Sequence, residues 1–426
     1  MPVSDQLLWW GIPLGLVALF WLATLEAHRR MWRSLTRMTA LPAHQAAPWP
    51  RLSVIVPSCN EEKAVEAATR SLVAQDYPNL EIVAVDDRST DRTGAILDGL
   101  APSHPNLTVV HITSLPPGWL GKNHANHVGV SKASGEWILF TDGDVMFAPD
   151  ALRRAIVYAT HNQLDHLAAL PSLVAPGFME RSAQTAAFAL ISTRFRTWEL
   201  AQPRTKGYVG VGAFNLVRKA AYDDVGGHTP LAMEVADDMK LAMILRRSGK
   251  RCAMVDSASR VSVRWQEGFL NSFRGIIKNS FSGADWEWPL VLAGLVGLPL
   301  LTVFPWVAAV MAPSWGLRAL ALWSVAAAVA SHGYGARRSA QGSGLEGLTN
   351  PLMSMMLLGT ILLSATLATV RGGITWRGTF YPLKELRARC VRERDWPTHK
   401  VVAVVPTMPP SVQPGAADVR TGALPS

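Results

Sequence analysis

Four short apolar runs, each ending in polar or acidic residues, recur along the first third of the chain: "RLSVIVPSCNEE" (51–62), "LEIVAVDDRSTD" (80–91), "NLTVVHIT" (106–113) and "EWILFTD" (136–142). They are rich in Val and Ile and apolar at consecutive rather than alternate positions, the pattern of strands buried on both faces. Helical stretches separate them: "AVEAATRSLVAQ", "DRTGAILDGL" with Ser89 or Thr90 placed to cap it, and "GKNHANHVGVSKA" (121–133). Strand alternating with helix predicts an α/β domain over 51–265, a mostly parallel sheet covered by helices on both faces. The fourth strand is expected to end at Thr141, where Gly143 permits a turn.

Longer apolar stretches flank this domain. Residues 6–25, "QLLWWGIPLGLVALFWLATL", are almost uncharged, and about 20 such residues span a hydrocarbon core. Trp9, Trp10 and Trp21 suit its interfaces, and the basic residues His28, Arg29, Arg30, Arg33 and Arg37 follow the run rather than precede it. That order favours an uncleaved anchor over 1–30, with the chain entering the cytoplasm behind it, over a signal peptide. A basic, Pro/Ala-containing linker (31–50) leads into the domain. Beyond it, 266–287 has the spacing of an amphipathic helix in the membrane interface, with a core helix of the soluble domain as the alternative. Within 288–371 three apolar stretches follow, at about 288–312, 316–334 and 350–370. Pro299 and Pro305 interrupt the first, so it is expected to kink or re-enter, which keeps the basic segment 372–398 cytoplasmic. Residues 399–426, rich in proline and small residues, are expected to be disordered.

Composition changes this picture little. The 426 residues are 49% hydrophobic, more than one soluble domain ordinarily carries, and the excess lies in the flanks. The net charge of +9 is met by basic residues beside membrane segments and calls for no nucleic-acid partner. Cys59, Cys252 and Cys390 lack pair or metal spacing and fit a reducing compartment.

Candidate chemistry gathers where parallel sheets place ligands, beyond the carboxyl ends of the strands. Glu61, the pair Asp86 and Asp87, and the pair Asp142 and Asp144 all fall there. Two buried unpaired carboxylates would cost several kcal/mol each, roughly, so Asp142 and Asp144 should turn outward. A divalent cation, Mg²⁺ or Mn²⁺, shared with a diphosphate would satisfy them; an Asx turn capping the next helix is the plainer alternative. Lys122 follows a glycine at a helix start, where a cation and free N–H groups can meet a diphosphate. Asp237 and Asp238 open the helical pattern "DDMKLAMILRRSG", where an acid also serves as a cap.

The blocks "VIVPSCNEE", "IVAVDDRSTDRT", "GKNHANHVGVSKASGEWILFTDGD" and "EVADDMKLAMILRRSG", in this order, resemble the family 2 glycosyltransferases of the GT-A fold. The resemblance covers about 50–290. With "LPPGWLGKNHA" and "GGITWRGTFYPL" it points to the membrane-bound branch that includes hopanoid-associated and carotenoid glycosyltransferases and is related to ceramide glucosyltransferase. It implies an inverting transfer of a hexose from a nucleotide sugar, UDP-glucose first among donors, to a lipid acceptor. Pro57, Glu61, Asp86, Asp87, Lys122 and Asp142 would bind the donor. Asp144, with Asp142, would hold the metal. Asp238 would be the base, with Asp237 the alternative, because Asp237 stands where the family usually has Glu.

Arg264 and Trp265 lie in "RVSVRW" (260–265), a departure from the Q-x-x-R-W of processive relatives, and would contact diphosphate or acceptor. Gly210 and Gly212 should allow close backbone approach on the acceptor side. Lone His161, His166, His228 and Trp198 acquire no role. The expected setting is the cell (inner) membrane, multi-pass, with the catalytic domain cytoplasmic. The competing readings are a processive polysaccharide synthase and an inactive membrane-anchored scaffold.

Overall fold

The apolar runs form the strands β1 (Leu52–Ser58), β2 (Leu80–Asp87), β3 (Leu107–Ile112) and β4 (Trp137–Phe140) of a computed structural model that describes residues 7–43, 48–200, 206–257, 259–396 and 407–408. β1 pairs in parallel with β2 and β4, and β2 with β3. Every residue of β1 and β4 is buried, as consecutive apolar positions require in a sheet covered on both faces. Alternate residues feed the two layers: Leu52, Val54 and Val56 pack on one side with Ile82 and Ala84, Ile55 on the other with Val83 and Val85.

After β4 come β5 (Met146–Phe147), β6 (His166–Leu170), β7 (Ser172–Leu173), β8 (Asn215–Arg218), β9 (Cys252–Asp256) and β10 (Val261–Val263). The main sheet runs β3-β2-β1-β4-β8-β6-β9, with β8 antiparallel to both neighbours. β5, β10 and β7 form a small second sheet.

Two local expectations change. β4 ends at Phe140, one residue before Thr141, although the Thr141 N–H still reaches the Ile55 carbonyl at 3.2 Å. The helix after β2 begins at Thr93, so its capping acceptor is Asp91, which takes the Thr93 N–H at 2.9 Å, rather than Ser89 or Thr90. Gly143 stays out of the left-handed region. A Cβ there would stand 2.5 Å from the Ser58 hydroxyl, so close approach accounts for the glycine.

Among the described residues two helices, Leu8–Ser34 and Leu345–Val370, are long and apolar enough to cross a membrane, or three if the bent pair Trp288–Thr302 and Phe304–Met311 is one span. The pair bends by 40° where Pro299 lies inside one helix and Pro305 opens the other. Helix Trp315–Ser339 lies along the N-terminal helix, joined by His28 Nδ1 to Ser331 Oγ at 2.9 Å and by Arg338 donating to the Trp32 carbonyl at 3.2 Å. In 266–287, helix Phe269–Ser280 buries Phe273 against Ala183 and Ala187 of helix Phe178–Phe195 and against Met353 and Leu357, leaving Leu270 exposed.

Within segment 372–398, residues 372–396 form the hairpin β11 (Gly373–Trp376) and β12 (Thr379–Pro382) and then wrap over the α/β domain. Its charges are used internally: Glu393 pairs with Arg196 and Arg247, and Arg392 and Arg394 pair with Glu287. The tail 399–426 lies outside the described residues except for 407–408.

Candidate active site

The donor-side loops after β1 and β2 are laced to each other. Asn60 and Arg88 both turn the chain with left-handed φ of 57°. Asn60 Oδ1 takes the Thr90 N–H at 2.8 Å, Thr93 Oγ1 takes the Glu61 N–H at 2.8 Å, and Asp91 takes the Glu62 N–H at 3.1 Å. Helix dipole and side-chain acceptors thus hold Glu61 at the mouth of the sheet, where its Oε1 meets Arg377 Nη2 of the distant hairpin at 3.4 Å.

The acids ending β2 divide. Asp86 is used on His111 Nδ1 at 3.0 Å and the Ser89 N–H at 3.3 Å. Asp87 is fully buried and gripped by Arg88 through both oxygens, at 2.7 and 3.0 Å, directly over Gly121 at the start of the Lys122 helix. Of the two, Asp87 is the one that borders Lys122's helix.

The second corner is built from three chain segments. Lys122 Nζ stands 2.7 Å from Asp142 and 3.7 Å from Asp237. Burial alone would lower its pKa, but Asp142, Asp237 and Asp238 outweigh that and hold it well above the ordinary lysine value. Helix Asp237–Arg247 begins here, and its first two residues face different partners. Asp237 is buried and takes the Asn126 amide at 3.3 Å, with His228 Nε2 at 3.9 Å. Burial would raise its pKa, but Lys122 and His228 hold it below the usual range. Asp238 is half-buried and lines a pocket with Lys122, Asp142, Gly212 and Pro57. Burial and the neighbouring Asp237 charge lift its pKa to about 6.

Close packing at the loop that carries Gly210 and Gly212 fixes this corner. A Cβ on Gly212 would lie 2.7 Å from Asp142 Oδ2 and 3.5 Å from both Asp238 Oδ2 and Lys122 Nζ. A Cβ on Gly210 would collide with the Asp238 carbonyl, which is backbone and cannot rotate away. Gly210→Ala should therefore lower stability by about 3 kcal/mol and depress activity together with the melting temperature; an unchanged melt would contradict the packing.

Asp144 sits on the turn after β4. Burial, then the charges of Asp142 and Glu61, raise its pKa to about 7. Among the described residues no group of three or more His, Cys, Asp or Glu gathers as a metal cage. A carboxyl raised by burial and by neighbouring carboxylates, on a turn outside the sheet, suits a hard divalent cation that takes one or two protein oxygens and completes its shell with phosphate and water. Asp142 is already paired with Lys122 at 2.7 Å, so of the two carboxyls Asp144 is the one that could hold such a cation.

Arg264 and Trp265 do not line the pocket around Asp238. Arg264 is half-exposed and pairs with Glu267 at 3.3 Å, and Trp265 packs between the main core and the Phe273 cluster. Asn126 and His228 were without a sequence assignment. A signal for Asn126 existed, since it lies four residues after Lys122 and so on the same helix face; the pairing of His228 with Tyr222, whose hydroxyl meets Nδ1 at 2.7 Å, had none.

A mostly parallel sheet with acids at its carboxyl ends, crossed at one antiparallel strand and joined to an acidic helix start, is the arrangement expected of a GT-A fold. Residues 53–226 match the family described as Glycosyl transferase family 2, and the chain carries that family's domain and is a glycosyltransferase. The chain is 26% identical over 348 residues to the 4,4'-diaponeurosporenoate glycosyltransferase of Staphylococcus aureus (strain MRSA252), spanning 78% of this chain and 89% of the relative. Among solved structures it is similar to a mannosyltransferase from Pyrobaculum calidifontis in complex with GDP-Man and Mn²⁺ (21% identity, TM-score 0.49, 84% of this chain and 99% of the other). It is also similar to S. aureus TarS in complex with UDP (18% identity, TM-score 0.37, 78% and 96%).

Proposed function

We propose that the chain transfers a hexosyl group from a nucleoside-diphosphate sugar, UDP-glucose first among donors, to a hydroxyl of a membrane lipid by single displacement with inversion. The observation that carries this reading is the convergence of Asp238, Lys122 and Asp142 on Gly212: a half-buried carboxylate shares one small pocket with a cation and with the carboxylate that pairs with it. Pro57, Glu61 and Asp87 line the nucleoside side, with Asp86 bracing Asp87's strand end. Lys122 binds the diphosphate as negative charge grows on the leaving group, which favours the transition state over the ground state. Asp238 removes the acceptor proton, and Asp237, clamped by Asn126 and Lys122, orients the helix start that presents it. A divalent cation on Asp144, assisted by Asp142, would supply Lewis-acid stabilisation of the leaving diphosphate. Arg264 and Trp265 follow β10, whose antiparallel partner β5 begins two residues after Asp144, and are proposed to border the diphosphate or acceptor.

Apolar helices adjoining the domain support a lipid acceptor and a multi-pass protein of the cell (inner) membrane with its catalytic domain in the cytoplasm. The staphylococcal relative, named for 4,4'-diaponeurosporenoate, supports testing carotenoids beside hopanoids and other glycolipid precursors. The test uses the full chain in detergent with Mg²⁺ or Mn²⁺ and a membrane-lipid extract. Metal-dependent nucleotide release with label appearing in a lipid is expected; no release with UDP-glucose, UDP-N-acetylglucosamine or GDP-mannose would sink the proposal.

A further inference from the structure

The hairpin Gly373–Pro382 contacts the donor-side loops at sequence separations of 291 and 316 residues and also touches the start of the Lys122 helix. Arg377 at its tip meets Glu61 at 3.4 Å, Thr379 Oγ1 accepts from Arg88 Nη1 at 3.4 Å, and the Tyr381 hydroxyl bonds to the Gly121 N–H. Its base is equally tied down. Ile374 and Tyr381 are buried with Leu120, just ahead of Lys122, and with Ala365 and Ala368 of the last apolar helix. The hairpin therefore forms a fixed wall between that helix and the mouth of the nucleotide site.

Its turn is unusual for its sequence. Trp376 pairs with Thr379, so Arg377 and Gly378 are the two central residues, with φ of 48° and 78°. A two-residue turn with positive φ at both places ordinarily holds Asn-Gly, Asp-Gly or Gly-Gly, because a long side chain there is strained. Nothing in the turn's own geometry calls for arginine. What arginine adds is a guanidinium at the tip, beside Glu61, on a hairpin that also touches Arg88 and Gly121, the sequence neighbours of Asp87 and Lys122. Among the described residues only one of its five N–H donors is engaged, on Glu61.

We infer that Arg377 is a donor-binding residue: Glu61 positions its guanidinium to take the diphosphate of the nucleotide sugar together with Lys122. This rests on the proposed nucleotide-sugar reaction. A planar fork suits paired phosphate oxygens, and a guanidinium–phosphate contact is a strong, charge-assisted hydrogen bond. The wall would thereby make the last apolar helix part of the donor site.

The test compares wild type with Arg377→Asn, in the full-length protein in detergent, by titration with UDP and GDP against uridine and guanosine. Asn accepts the left-handed backbone, so the variant should melt at the wild-type temperature or above. Diphosphate binding should weaken on the order of tenfold or more while nucleoside binding stays the same. Arg377→Lys, which keeps a charge but loses the fork, should fall between. A wild type that prefers UDP or GDP to its nucleoside, beside an Asn variant with the same preference, overturns the assignment of Arg377 alone. A wild type that neither prefers a diphosphate nor transfers sugar overturns it together with the donor reading on which it rests.

Discussion

Asp238→Asn should lower kcat/KM by about 10²–10⁴-fold, the range for loss of a positioned general base, while leaving nucleotide binding and the melting temperature near wild type. Asparagine fills the same space and can still meet the Met239 N–H, which Asp238 Oδ1 takes at 2.7 Å. It cannot accept a proton. The pH dependence separates this from simple misfolding. Burial and Asp237 hold the Asp238 pKa up at about 6, and a base acts only when ionised. Wild-type kcat/KM, measured at saturating divalent cation, should be level above that pH and decline towards tenfold per unit below it. In the Asn variant that limb should be gone. A variant with full activity and an intact acid limb would transfer the role to Asp237, whose contacts with Asn126, His228 and Lys122 argue that it holds the helix start instead.

That choice between two adjacent acids shows where sequence stops being informative. Strands whose burial is complete announce themselves, because β1 and β4 must be apolar at every position and their ends must then carry the polar chemistry. Glu61, Asp87, Lys122, Asp142, Asp144 and Asp238 were legible in that way, as residues ending strands or opening helices. Both Asp237 and Asp238 line the pocket, and which of them is left the more exposed there depends on the phase of one helix start, where a shift of a single residue exchanges them. Long-range placement was less accessible still. β8 enters antiparallel between β4 and β6, and its Asn215 donates to the Asp238 carbonyl at 3.4 Å, yet nothing in "NLVR" names those neighbours. Segment 372–398 reads only as basic and cytoplasmic because composition counts its arginines but not Glu287, which they meet. Arg377 reaches Glu61 only through the folded path of the intervening chain.

Lys122→Met should produce the second large effect, because one ammonium serves three carboxylates. It lies 2.7 Å from Asp142 and 3.7 Å from Asp237, and its charge lowers the Asp238 pKa against burial and the Asp237 charge that raise it. Removing it leaves the cluster uncompensated, which should cost about 3 kcal/mol of stability, the low end for breaking a buried pair because Asp142 keeps contact with water. Donor affinity should fall as well, since the diphosphate loses a cation. The sign of the pH effect follows from the same geometry. Without Lys122 the Asp238 pKa rises, so the acid limb of kcat/KM should move to higher pH and activity at neutral pH should fall further than donor binding explains. Lys122→Arg keeps the charge, so its limb should remain near the wild-type position even if the larger head group disturbs the diphosphate. A Met variant that loses activity while its limb stays in place would confine Lys122 to binding the donor and deny it any part in tuning the base.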